Sequence, residues 1–224
     1  MAQYLHVHPT HPQPRLVRLA AASLREGLLL AYPTDSSYAL GCRLDDADAA
    51  RRIRAIRGLD ERHHFTVMCG SLADAGRFAR MDNWQFRLLR QGVPGPFTFL
   101  LPASREVPRR VQHARRNTIG VRVSDHPVVQ ALLAEAGGPI LTSTLLLPGD
   151  DRPLNEPEEI RMRLQSQVDM ILDAGACPNE PTTVVDLAVD PPVIVRTGRG
   201  DPSRLGLGAR VDAQSANGRA TRVK

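Results

Sequence analysis

Apolar positions recur along this chain with two different periods, and the places where one period gives way to the other outline the fold. Residues 3–8 alternate as a short strand, closed by Pro9 and Pro12. From Arg15 onward, Leu16, Leu19, Ala20, Ser23 and Leu24 return at helical spacing, which predicts an amphipathic helix that stops at Gly27. Residues 28–32 form a continuous apolar run ended by Pro33, the pattern of a strand buried on both faces. Asp46 or Asp48 caps a helix running to Arg57, with Gly58 behind it. Residues 65–69 predict a strand, Ser71 opens a small helix, and Trp84, Leu88 and Leu89 mark another that ends at Gly92. Residues 97–101 and 118–123 predict strands on either side of an arginine-rich stretch. Pro127 suits the first turn of a helix through Glu135, closed by Gly137 and Gly138. A strand at 140–143, a helix at 158–167 and strands at 168–172, 184–187 and 192–195 complete the set.

There is no internal repeat and no clean alternation of strand and helix. The pattern therefore predicts an α/β (α+β) fold on a twisted, mixed sheet with flanking helices, in one domain over residues 1–200. Beyond Gly198 no apolar period is sustained, and residues 201–224 are expected to be a basic, flexible tail. The 224 residues are 42% hydrophobic and 24% charged, which is ordinary for a globular chain and excludes disorder as its main state. No apolar run approaches the ~20 residues that cross a bilayer, and the first residues lack a secretory signal, so a cytoplasmic protein without membrane association is expected. Cys42, Cys69 and Cys177 fit neither a redox pair nor a zinc cluster and are expected to be buried thiols in a reducing compartment. His6, His8 and His11 have no partner ligand in the pattern and are expected to be surface imidazoles.

The net charge of +5 is unevenly spread. Lys224 is the single lysine, and residues 199–224 hold five arginines and Lys224 against Asp201 and Asp212. Within the body, residues 105–122 hold six arginines against Glu106, and residues 51–62 hold five against Asp60 and Glu61. Such clusters suit phosphate, nucleotide or RNA partners, and equally a solvated arginine-rich face. Neither of the two common glycine-rich phosphate loops occurs, nor a Gly-x-Ser-x-Gly nucleophile turn. The segment from Tyr32 to Gly41 does draw notice: hydroxyls and a carboxylate follow directly on a buried strand, where open α/β sheets place ligand groups. Turn chemistry uses the same residues.

Four motifs then carry a family resemblance. They are Tyr32-Pro33-Thr34-Asp35-Ser36 with Tyr38-Ala39-Leu40-Gly41, Pro94-Gly95-Pro96-Phe97-Thr98-Phe99, Ile119-Gly120-Val121-Arg122-Val123 with His126-Pro127, and Thr182-Thr183-Val184-Val185-Asp186-Leu187 with Val195-Arg196. In this order the chain resembles the YrdC-like family, whose best-known members make threonylcarbamoyl-AMP and pyrophosphate from threonine, bicarbonate and ATP, in the service of tRNA threonylcarbamoyladenosine. The arginine-rich stretch before Val123 and the Thr142-Ser143-Thr144 stretch are similar to the family's YciO branch. The resemblance implies a nucleotidyltransferase with a concave basic cavity. It implies that Thr34, Arg122 and Thr182 (or Thr183) contact threonine, and that Arg57, Thr98, Ser143 and Arg196 meet the nucleotide phosphates. Mg²⁺ would bridge phosphates without a protein-held metal site, and the resemblance assigns no catalytic side chain. The synthases' Lys-x-Arg and Ser-x-Asn motifs read Arg57-x-Leu59 and Ser143-x-Leu145 here, and a further family histidine is Met68. Leu59 and Leu145 cannot bond phosphate, so weaker ATP binding than in a full synthase is expected. The alternative is a non-catalytic tRNA or double-stranded RNA binder, with Arg109, Arg110, Arg115 and Arg116 on backbone phosphates.

Overall fold

A computed structural model describes residues 1–60 and 63–207. Its ten strands are β1 (Gln3–His6), β2 (Leu30–Tyr32), β3 (Ala39–Arg43), β4 (Thr66–Met68), β5 (Phe97–Pro102), β6 (Thr118–Arg122), β7 (Ile140–Thr144), β8 (Met170–Asp173), β9 (Thr183–Asp186) and β10 (Val193–Arg196). The helices are α1 (Pro14–Arg25), α2 (Ala47–Arg57), α3 (Leu72–Phe78), α4 (Asn83–Gly92), α5 (Pro127–Ala136) and α6 (Pro157–Leu164). All ten strands join one sheet in the order β1-β8-β2-β3-β7-β4-β6-β5-β9-β10. The β1–β8, β2–β8, β4–β6 and β5–β9 pairs are parallel and the rest antiparallel, so the sheet is mixed as expected.

The local signals act as their chemistry dictates. Asp46, not Asp48, caps α2 by accepting from the amides of Asp48 and Ala49, and Gly58 ends the helix with φ at 62°. Strand β3 was not among the expected elements. Its run Ala39-Leu40-Gly41-Cys42-Arg43 has no alternation because four of its five residues are buried, between β2 and β7.

Along the strands, alternate residues feed two cores. Ala31, Val67, Leu141 and Ile171 pack with α2, α3, α4 and α6 on one face. Leu30, Tyr32, Met68, Ile140, Met170 and Leu172 pack with α1 and α5 on the other. Strands β5, β6 and β9 send only one set inward: Phe97, Phe99, Leu101, Ile119, Val121 and Val185 all join the first core. Their alternates, Thr98, Gly120, Arg122 and Val184, belong to neither core, because α1 and α5 stop short of this half of the sheet. That uncovered half is where a ligand can lie against the strands.

The first residues of the expected tail are folded. Pro202–Leu205 is a single 3₁₀ turn whose Leu205 is buried against α4 near Gly92, so apolar packing continues past the point where the apolar period fades. Residues 208–224, the rest of the expected tail, lie outside the described residues. The three cysteines are buried and unpaired, and burial pushes each thiol up to about 12. No helix among the described residues is long and apolar enough to cross a membrane.

Candidate active site

On the uncovered half of the sheet a cavity of about 200 Å³ is lined by Thr98, Ser143, Thr182 and Arg196, together with His63, His64, Thr66 and Thr144. Thr144 and Arg196 also line a neighbouring cavity of about 570 Å³ that extends past Asn179 and Pro181, so the two share a wall. Four of the seven residues assigned to ligands through the resemblance thus converge on one wall, from β5, β7, β10 and the residue before β9.

Backbone details set these side chains. Thr183 is a pin: its hydroxyl donates to the Gly200 carbonyl at 2.5 Å and accepts from the Gly198 amide at 2.9 Å. This leaves Thr182, of the two threonines, to face the cavity, where its hydroxyl lies 2.8 Å from that of Thr98. A register shift in β10 pairs Ile194 with Val185 and then Arg196 with Val184. The extra residue turns Arg196 onto the cavity face, as a β-bulge re-aims a side chain. Gly120 leaves the floor clear, since a Cβ there would press on Thr66 Oγ1, 2.6 Å away.

The charges fall into two groups. Arg196 donates to the Thr182 carbonyl at 2.9 and 3.2 Å. Arg57, at the end of α2, donates through Nε to Ser143 at 3.3 Å and through a terminal nitrogen to the Leu146 carbonyl. Neither guanidinium pairs with a carboxylate among the described residues. Burial and the nearby Arg196 bring Arg57 down to about 10, and burial and Arg122 lower Arg196. Burial, with Arg57 adding to it, also pushes His63 down to about 4, and burial with His113 and Arg116 does the same for His64. Both imidazoles are neutral at pH 7. A cavity lined by Arg196 and neutral histidines, with Arg57 held behind it on Ser143, favours an anion.

The second group is compensated. Arg122 and Asp35 form an ion pair at 2.5 Å with side chains only 5% and 8% exposed. The same guanidinium nitrogen reaches Thr34 at 3.1 Å and Ser36 at 2.9 Å, and Ser124 donates to the same Asp35 oxygen. Arg122 Nε and Asp35 Oδ2 are buried without a hydrogen-bond partner among the described residues. Thr34 and Arg122 are therefore bonded to each other as their shared assignment requires, but they stand in this buried network and not in the lining of the 200 Å³ cavity. One terminal nitrogen of the Arg122 guanidinium is already taken by Asp35.

The departures also find their places. Leu145 is wholly buried in the larger core, and Met68 packs under α5 in the other, so both positions serve packing. Among the outlying arginines, Arg116 pairs with the buried Asp186 at 2.6 Å and Arg110 donates to the Asp45 carbonyl. Arg109 and Arg115 are exposed and pair with no carboxylate among the described residues. His63, His64 and Ser124 are site residues that the motifs did not single out, and Asp35 and Gly120 lie in quoted motifs without an assigned role. His6 is largely exposed and lies 2.7 Å from Asp173, and no group of three or more metal-ligating side chains occurs among the described residues.

The fold, with its open polar half-sheet, defines a class. The Sua5/YciO/YrdC family model, described as telomere recombination, matches residues 22–198, and the chain belongs to that family. It is 46% identical over 201 residues to the uncharacterized protein YciO of Escherichia coli K12, covering 90% of this chain and 98% of that one. It is 36% identical over 165 residues to a threonylcarbamoyl-AMP synthase of Halorhodospira halophila, covering 73% of this chain and 85% of the other. The crystal structure of E. coli YciO superposes with a TM-score of 0.89 at 45% identity, over 92% of this chain and all of that one. P. abyssi Sua5 complexed with L-threonine superposes with a TM-score of 0.80 at 26% identity, over 87% of this chain and 57% of the other.

Proposed function

We propose that this chain binds threonine beside an adenylate and acts in threonylcarbamoyl-AMP chemistry. In the synthetic direction the carbamate of threonine, formed with bicarbonate, attacks the α-phosphorus of ATP and pyrophosphate leaves. The observation that carries this reading is the pairing of two sites on one half-sheet: a cavity lined by Arg196 with Arg57 behind it on Ser143, neither paired with a carboxylate among the described residues, next to a compensated Arg122–Asp35 network with orphaned polar atoms. The first suits phosphate and the second suits an amino acid. The threonine bound by P. abyssi Sua5 and the synthase activity in the name of the H. halophila relative support the same assignment.

In this reading Thr34, Arg122 and Thr182 hold threonine, and Arg57, Thr98, Ser143 and Arg196 hold the phosphates. The chain's own part is to position the two reactants and offset negative charge. The described side chains do not build a metal cage, so Mg²⁺ would arrive on the nucleotide's phosphates. Leu59 and Leu145 offer no side-chain hydrogen bond to a triphosphate, which favours weaker binding of ATP than in a full synthase. Incubation with threonine, bicarbonate and Mg-ATP, followed by detection of pyrophosphate and threonylcarbamoyl-AMP, tests the reading. Both products are expected; their absence together with an absence of threonine binding overturns it.

A second reading, binding of structured RNA, rests on Arg109 and Arg115, which are exposed and pair with no carboxylate among the described residues. Arg116 adds less, since its charge is already met by Asp186.

A further inference from the structure

The arginine-rich stretch ends in a turn that one imidazole holds closed. His113 Nδ1 accepts from the backbone amides of Arg115 and Arg116, each at 3.2 Å. The Asn117 amide then donates to the His113 carbonyl at 3.0 Å, and Asn117 takes a left-handed φ of 52°. A ring nitrogen that accepts carries no proton, so the hydrogen of His113 sits on Nε2. An imidazolium has a donor at both nitrogens and no acceptor. The charged ring therefore cannot make these two bonds in any orientation.

The turn is tied to the cavity on two sides. The His113 ring lies on that of His64, with centroids 4.4 Å apart, and His64 lines the 200 Å³ cavity. Both histidines hold Thr118: the His113 amide donates to its carbonyl at 2.8 Å, and His64 Nε2 lies 2.9 Å from its hydroxyl. On the other side Arg116 pairs at 2.6 Å with Asp186, which is buried in β9. The charged and titratable groups around His113 are Arg115 and Arg116 on its own turn, His64 from the segment before β4 and Asp60 from the segment after α2. Burial and Arg116 hold His113 below its ordinary 6.5, so the accepting, neutral ring is the resting form at pH 7.

We propose that His113 is an acid-sensitive latch: when Nδ1 takes up a proton, the ring releases the Arg115 and Arg116 amides, the turn over residues 113–117 opens, and the stack on His64 at the cavity wall is withdrawn. Opening also loosens Arg116 from Asp186 and leaves it beside Arg115 as a second free cation. The latch needs an accepting atom and not an imidazole as such. Asn at this position offers an oxygen to the amides that follow it, as in an Asx turn, and does not titrate.

NMR on the full chain between pH 7.5 and 4.5 reads the His113 ring and the Arg115 and Arg116 amides together. In the native protein both amide signals and the His64 ring are expected to move with the midpoint of the His113 ring. In His113→Asn the two amides are expected to move at least threefold less over the same range. Amides that stay in place while the His113 ring titrates overturn the proposal, and this comparison needs no variant. Amides that move as far in His113→Asn as in the native protein also overturn it, because acid then acts through another group. A His113 ring that stays neutral down to pH 4.5 overturns it as well. None of these results bears on threonine binding.

Discussion

Arg122 and Arg196 lie on the same open half of one sheet, yet the protein treats their charges in opposite ways. Arg122 is sealed against Asp35 and two hydroxyls, with its side chain 5% exposed. Arg196, like Arg57, is held by neutral oxygens of Thr182, Ser143 and Leu146, so its charge is positioned without being cancelled. A carboxylate partner stabilises a buried cation but weakens its pull on an incoming anion; a carbonyl tether fixes the geometry and leaves the pull intact. The first arrangement suits a ligand that brings both signs, and the second suits one that brings only negative charge.

Removing one member of each group should separate them most strongly in stability. Arg122→Met leaves Asp35 buried without its partner and is expected to cost about 3–5 kcal/mol in urea unfolding. Arg196→Met removes a charge that has no carboxylate partner and is expected to change stability by no more than about 1 kcal/mol. Similar losses in both variants would erase the distinction.

Ligand affinity should reverse the ranking. Arg57→Met and Arg196→Met are each expected to weaken AMP binding tenfold or more, since a charged hydrogen bond is worth about 1.5–3 kcal/mol. Their threonine affinity should stay within about threefold, a bound well under the 1.4 kcal/mol of a tenfold change. Calorimetry with each ligand alone reads both numbers, and AMP affinity that survives both changes would mean the cationic wall is not the phosphate site.

Acid should expose the uncompensated wall next. His63 and His64 bind protons less readily folded than unfolded, titrating near 4 and not near their usual 6.5. Their contribution to stability is therefore intact above about pH 6.5 and is lost as pH falls towards 4, where the unfolded chain holds more protons. Allowing for solvent screening, roughly 1–3 kcal/mol in total is expected over that window. A His63→Gln, His64→Gln variant should show a flatter urea midpoint between pH 7 and 4.5. Inorganic phosphate should raise the His63 titration midpoint, read by NMR, because it offsets Arg57 and Arg196.

The smallest effect expected is on RNA. If structured RNA binds, Arg109→Ala and Arg115→Ala should each reduce the slope of log affinity against log salt by about 0.7–0.9. Arg116→Ala should change it less, because Asp186 already meets that charge. Equal effects of all three would place the phosphate backbone on the arginine stretch without regard to pairing.

Much of the molecule was legible in its residues because the signals are local. The helical spacing from Arg15, the Asp46–Gly58 brackets of α2 and the Pro127–Gly137 brackets of α5 each act within a few residues of chain. The motifs around Thr98, Ser143, Thr182 and Arg196 were likewise readable, and these four residues do meet at one cavity. Strand β3 escaped because burial on both faces erases the alternation that marks a strand. Other features were set only by tertiary structure, since they depend on partners far away in sequence. Asp35 and Arg122 become an ion pair across 87 residues only when β2 and β6 sit in the same sheet. The shift in β10 that aims Arg196 is a property of its register with β9, and His63 and His64 gain a role from the cavity they line. Composition and spacing count the charges of this chain; which of them are cancelled and which are left for a ligand is decided by the neighbours that the sheet supplies.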